Sequence, residues 1–142
     1  MRIEPYLFFN GRAEEAIDFY REALGAELQM LMRFSESPDP VPEGMLPPGF
    51  ENKVMHSCIT VGGGSVMISD GDGSAGPAFS GFALSLEADD GEQLRSWFDA
   101  LSEGGRIKMP VGKTFFAELF GMVTDKFGVD WMLIVPADMP QG

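Results

Sequence analysis

The apolar positions of this chain run at strand spacing, change to helical spacing, and then repeat the change. Residues 2–9 read RIEPYLFF, a short strand with Pro5, Leu7 and Phe9 on one face and Tyr6 and Phe8 on the other. Asn10 and Gly11 stop it. Asn10 is the expected N-cap of a helix with Glu14 and Glu15 in its first turn, where the helix dipole favours acids. Ala13, Ala16, Ile17, Tyr20 and Leu24 follow at helical spacing, and Gly25 offers a left-handed end. A second strand is expected over 27–34. Residues 53–61 and 65–70 then read as a hairpin around Gly62, Gly63 and Gly64. Setting Val61 opposite Ser65 puts His56 against Asp70, with Cys58 and Ile68 on the same face. A bulge in the glycine turn would shift that register and undo the pairing.

The second half repeats the plan. Residues 79–87 predict a strand, and Asp89 or Asp90 caps a helix whose Leu94, Trp97, Phe98 and Leu101 fall at i, i+3, i+4 and i+7 before Gly104 and Gly105. Strands over 106–109, 114–124 and 129–135 follow, parted by PVGK and DKFG. Phe19, Tyr20 and Ala23 match Trp97, Phe98 and Ala100 at an offset of 77 to 78 residues. Both halves therefore read β-α-β-β-β. The insertion over 35–51 carries Pro38, Pro40, Pro42, Pro47 and Pro48, which withhold backbone donors from any sheet. It is read as a solvated connector, with a flap or a piece of a dimer interface as its functional alternative.

At 142 residues the chain has room for one well-buried core. It is expected to form one domain, with module one over about 1–71 and module two over about 77–137. Ten Lys and Arg against 22 Asp and Glu give a net charge of -12, which repels a nucleic-acid backbone or an anionic membrane. No stretch has the roughly 18 to 20 apolar residues that span a bilayer. MRIEPYLFFNG makes a poor signal peptide, so the cytoplasm is the expected compartment. Cys58, the lone cysteine, permits no internal disulfide and sits in an apolar strand pattern, where an inert buried thiol is the ordinary reading.

Several segments carry a family resemblance: PYLFFNG at 5–11, FYREALGAEL at 19–28, MHSC at 55–58, MISD at 67–70 and TFFAELFGMVTDKFGVDWML at 114–133. With the tandem βαβββ plan they resemble the PhnB-like branch of the vicinal oxygen chelate superfamily, which includes glyoxalase I, bleomycin resistance proteins and extradiol dioxygenases. The resemblance implies an α+β fold in which tandem βαβββ modules form a curved mixed sheet. It also implies a homodimer and, in metal-dependent members, about four His or Glu ligands on one divalent ion that acts as a Lewis acid. On that pattern the ligand positions fall at Pro5, near Ile68, at Gly81 and at or beside Met132. None is an ordinary ligand of a hard or borderline metal. No cofactor is therefore expected. The methyltransferase label given to some PhnB-like sequences finds no glycine-rich loop opening a helix here.

The remaining candidates are polar groups and a cavity wall. His56 and Asp70, with Ser69 at the strand end and Glu118 before the DKFG turn, are the groups for acid-base work. A carboxylate beside an imidazole would hold one tautomer or raise its pKa, although such a pair across a hairpin also serves as a plain structural hydrogen bond. Phe116, Glu118, Phe120 and Met122 share one face of their strand and Phe115, Ala117, Leu119 and Val123 the other. The first set, which holds the charge, is the expected wall. Leu7, Phe9, Ser69, Phe116, Phe120, Met122 and Met132 are the expected ligand contacts, a mainly apolar surface suited to a small organic molecule. Asp125 and Gly128 are read as turn residues. The expectation is a protein that binds a small molecule. Its alternative is an isomerase, lyase or group-transfer enzyme using His56, Asp70 or Glu118, with or without a recruited divalent ion.

Overall fold

A computed structural model describes residues 2–39, 46–71 and 79–137. The chain divides into two compact units, 1–77 and 78–142. The first contains β1 (Tyr6–Phe8), α1 (Ala13–Leu24), β2 (Glu27–Arg33), β3 (Val54–Val61) and β4 (Gly64–Ser69). The second contains β5 (Leu84–Glu87), α2 (Gly91–Ser102), β6 (Arg106–Gly112), β7 (Ala117–Thr124) and β8 (Asp130–Pro136). Each unit is a βαβββ module with one four-stranded mixed sheet, ordered β1-β4-β3-β2 in the first and β5-β8-β7-β6 in the second. The first strand of each module lies parallel to the last, and the other pairs are antiparallel. This is the expected α+β architecture. At the two ends of the proline-rich insertion, single 3-10 turns form at Phe34–Glu36, which takes up Phe34 from the expected strand, and at Phe50–Asn52; residues 40–45 lie outside the described ones.

Each helix covers one face of its own sheet. In α1 the buried residues are Ala13, Ala16, Ile17, Tyr20 and Leu24, the stripe expected from their spacing. Burying a side chain the size of Ile17 or Leu24 contributes about 1.5–3 kcal/mol. Gly25 ends the helix at φ 68, where its N–H reaches the Arg21 and Tyr20 carbonyls. The start differs from expectation. Arg12 occupies the cap position but its side chain does not cap the helix, and Asn10, at φ 51, belongs to the preceding turn. The missing acceptor comes from the end of β4, since Asp70 Oδ1 accepts from the Gly11 and Ala13 N–H groups at 2.7 and 2.8 Å. In α2 the cap is local. Asp90 accepts from the Gln93 N–H at 2.8 Å, and the Gln93 side chain accepts from the Asp89 N–H, two free donors satisfied reciprocally.

The hairpin register corrects the sequence reading by one residue. Val61 pairs with Gly64, Thr60 with Ser65 and Cys58 with Met67, so the turn uses only Gly62 and Gly63, with Gly62 at φ 57. Two-residue turns of this kind match strand twist and need positive φ, which glycine adopts without strain. Side chains alternate across a strand, so the slip moves Asp70 away from His56.

In the second unit the helix-facing rows are Val123–Trp131, Gly121–Leu133 and Leu119–Val135. Gly121 leaves room for the helix there: a Cβ would lie 2.8 Å from the Phe98 ring of α2. The other rows, Met122–Met132 and Phe120–Ile134, face away from the helix, as the alternation around Glu118 predicted. A register shift between Ala117 and Leu119 lies at the end of this pattern.

Candidate functional site

On the uncovered face of the first unit, register places Tyr6 beside Met67, Phe8 beside Ser69, Met67 beside Cys58, Cys58 beside Met30, and His56 beside Met32. Side chains directly opposite in neighbouring strands share a face. The uncovered face is therefore a surface of aromatic and sulfur side chains with polar atoms at its centre. Phe8 stacks on Tyr6 at 5.0 Å between ring centroids, and Tyr6 lies 5.6 Å from the His56 ring. Tyr6 Oη and His56 Nδ1 are hydrogen-bonded at 2.8 Å. Tyr6 and Phe8 remain 38% and 45% exposed. Burial pushes the Tyr6 phenol above its ordinary pKa, with a hydrogen bond to Ser69 opposing the shift. The phenol is thus a neutral donor and acceptor at physiological pH.

The predicted site residues separate. His56 lies on this face, but its partner is Tyr6. Asp70 is 1% exposed and serves as a backbone clamp: Oδ1 holds Gly11 and Ala13, and Oδ2 accepts from the Val54 N–H at 2.9 Å. Ser69 is on the uncovered face opposite Phe8 and is also tied to the backbone, donating to the Val54 carbonyl and accepting from the Gly71 N–H. Leu7 and Phe9, expected as ligand contacts, are 4% and 6% exposed. Leu7 pairs with Ile68 and Phe9 meets the Tyr20 ring of α1, so both are core residues beneath the helix. The strand faces the other way from the sequence reading because Leu7 and Phe9 are the side chains that fill the helix interface.

Tyr6, Phe8, Met30 and Met67 were missed. A signal existed, since Glu4 and Tyr6 carry polar atoms at alternate positions whereas Pro5, Leu7 and Phe9 carry none. In the second unit Glu118 is exposed on β7 and Met122 and Met132 are half-buried. Phe120 is 4% exposed and meets Phe116 edge-on at 5.2 Å, while Phe116 itself is 41% exposed. Asp125 matches its expected structural role. It is buried, accepts from the Phe127 and Val129 N–H groups through Oδ1, and accepts from the Trp131 indole through Oδ2.

The positions that resemblance assigns to metal ligands hold side chains without oxygen or nitrogen donors. Ile68 is fully buried, Gly81 is a turn residue at φ 80, Pro5 offers only its carbonyl, already bonded to the Met67 N–H, and Met132 has a thioether. Such a set does not fit a hard divalent ion. Among the described residues, no three His, Cys, Asp or Glu side chains converge as a ligand group. A separate surface recess of about 480 Å³ in the first unit is lined by Glu14, Arg33, Asn52 and Lys53. There Arg33 pairs with Glu14 at 2.7 Å, and Lys53 donates to the Gly11 carbonyl. Among the described residues, no helix is long and apolar enough to cross a membrane.

Comparison with known proteins follows the same outline. Residues 2–133 match the model of the Glyoxalase/Bleomycin resistance protein/Dioxygenase superfamily. Protein YjdN of Escherichia coli (strain K12) is 38% identical over 147 residues, covering 99% of both chains. The crystal structure of protein PA1353 from Pseudomonas aeruginosa is 37% identical, with a TM-score of 0.83 and coverage of 97% of this chain and 99% of that one. The PhnB protein from Bacillus cereus is 30% identical, with a TM-score of 0.76 over 95% of this chain and 99% of that one. The duplicated βαβββ plan and these full-length likenesses agree: the chain belongs to the glyoxalase/bleomycin resistance protein/dioxygenase superfamily, on its PhnB-like side.

Proposed function

We propose that this protein binds a small, planar, partly apolar organic molecule on the uncovered sheet face of its first unit. The observation that carries the reading is the row of three rings, Phe8, Tyr6 and His56, with centroid spacings of 5.0 and 5.6 Å and a hydrogen-bonded Tyr6–His56 pair at its end. Stacked rings offer an extended face to a flat ligand, and the flanking methionines adapt to its outline. The phenol and imidazole supply the few directed hydrogen bonds that orient a ligand on such a surface. The aromatic and methionine-bearing rows of β7 and β8 are a second surface of the same character. A homodimer in the cytoplasm, without a metal at the family's ligand positions, belongs to the same reading.

A thermal-shift screen with flat aromatic and heteroaromatic acids and amides tests it. Binding of a hit by calorimetry should weaken roughly tenfold in Phe8→Ala and severalfold in Tyr6→Phe. A hit that binds both variants as tightly as the parent would refute the placement of the ligand. Light scattering of the purified chain checks the dimer.

A second reading is acid-base catalysis at His56, favoured by the same 2.8 Å contact, since a phenol on Nδ1 fixes the tautomer and leaves Nε2 for a substrate. Asp70 is left out of this reading, because all of its observed bonds go to backbone donors. Turnover of a ligand found in the screen, abolished in His56→Ala with binding retained, would establish an enzyme.

A further inference from the structure

The structure assigns to the first unit a second binding capacity: a soft monovalent cation of the Cu(I) type, held by the Cys58 thiolate between the Met30 and Met67 thioethers. Met30 lies directly opposite Cys58 across β2 and β3, and Met67 lies directly opposite Cys58 across β3 and β4. Three sulfur side chains therefore form one row on one face, neighbouring Cβ atoms standing about 4.5–5.5 Å apart. Methionine stems have three rotatable bonds, so both thioethers can turn toward a cation at the central sulfur. Thiolate and thioether donors select Cu(I), whereas oxygen donors suit Mg²⁺ or Ca²⁺.

Three further observations favour this row. In the next row Met32 lies opposite His56, whose Nδ1 is engaged by Tyr6 at 2.8 Å. A bonded partner on one ring nitrogen is what orients a ligating imidazole, and it leaves Nε2 for the face. The row is also half-open, with Met30 39% exposed and Cys58 of intermediate exposure, so a cation can enter while water is partly excluded. Finally, the second unit repeats the row with thioethers alone: Met109 opposite Met122, and Met122 opposite Met132. A cysteine sulfur occurs only in the first row, which makes that row the stronger site. Binding breaks the S–H bond and releases one proton, and forms one thiolate–Cu bond and two dative thioether–Cu bonds with no change of oxidation state. The site owes nothing to the ligand positions at Pro5 and Gly81, and it does not depend on an organic ligand.

The test uses the full chain without tags, under anaerobic reducing conditions. Cu(I) is presented as its bathocuproine disulfonate complex and withdrawal of metal is read by absorbance; Ag(I) uptake is counted by native mass spectrometry. One ion per chain is expected, with affinity falling at least a hundredfold in Cys58→Ser and about tenfold in the double variant Met30→Leu, Met67→Leu. The thiol of the double variant, titrated with a disulfide reagent, and its circular dichroism establish that it is folded with Cys58 available. Absence of uptake by the parent protein overturns the proposal. So does a double variant that binds as tightly as the parent, which would mean an exposed thiol acting alone. Unchanged binding in Cys58→Ser places the ion elsewhere and overturns it too, as does a preference for Zn²⁺ over Cu(I).

Discussion

Replacing Asp70 by Asn distinguishes a clamp from a catalytic acid. The carboxylate accepts from three N–H groups, those of Gly11, Ala13 and Val54, at 2.7, 2.8 and 2.9 Å, and is 1% exposed. Asn keeps the shape but has one oxygen, so its amide must turn an N–H toward donors on one side. A buried donor left unsatisfied costs about 1–3 kcal/mol, and the surviving bonds lose their charge assistance. Asp70→Asn should therefore lose about 2–4 kcal/mol, and Asp70→Ala, which orphans all three donors, about 3–9 kcal/mol. With a urea slope of about 2 kcal/mol per molar, the Asn variant's unfolding midpoint falls by roughly 1–2 M. Far-UV circular dichroism should follow it, because both tryptophans, Trp97 and Trp131, lie in the second unit and their fluorescence does not report the first directly. A midpoint within about 0.3 M of the parent, with an unchanged slope, would refute this account and return Asp70 to the list of functional acids.

Four other outcomes follow from the same structure. Asp125→Ala should lose several kcal/mol in the second unit, read by Trp131 emission, because it frees two buried N–H groups and the indole N–H. Gly105→Ala should fail to fold or melt far lower than the parent, since a Cβ would overlap the Thr124 carbonyl, which is backbone and cannot yield; Gly121→Ala, which meets the movable Phe98 ring at 2.8 Å, should cost only about 1–3 kcal/mol. The reverse order of melting temperatures would refute that distinction. The hydrogen bond from Thr124, followed by the one from Lys108, holds the Asp130 carboxyl below its ordinary pKa of 3.8 against the opposing effect of burial. Its stabilisation is therefore present above the ordinary value and is lost as pH falls through the lowered folded value. Asp130→Asn should flatten the stability profile between neutral and acid pH, and an unaltered acid limb would count against it. Phe8→Ala should leave the melting temperature nearly unchanged while weakening ligand binding, because the ring is 45% exposed.

The architecture was legible because apolar spacing, helix ends and the duplicated plan are local properties. The stripe of α1, Leu94, Phe98 and Leu101 of α2, the glycine end at Gly25 and the shared face of Phe120 and Met122 on β7 stand where spacing put them, while Trp97 is only half-buried. The site was less legible for three physical reasons. Three consecutive glycines permit turns of two or three residues, and the choice moves every side chain of β4 relative to β3; His56 therefore meets Tyr6 instead of Asp70. In the first strand Tyr6, Leu7, Phe8 and Phe9 are all bulky, and the polar atoms of Glu4 and Tyr6 are a faint mark of which pair lies under the helix. At the start of α1, Asn10 is a good cap by type, but a cap supplied from β4 has no local signature.

That long-range cap also has a consequence for how the chain folds. The acceptor that completes the first turn of α1 lies 57 residues beyond Ala13, so during synthesis the helix leaves the ribosome well before its own stop for fraying. The first turn can settle only when the hairpin docks, which ties a local element to the latest strand of its module. Amide protons of Gly11, Ala13 and Val54 should then exchange with one common opening rate rather than as a helix end, a loop and a strand moving separately.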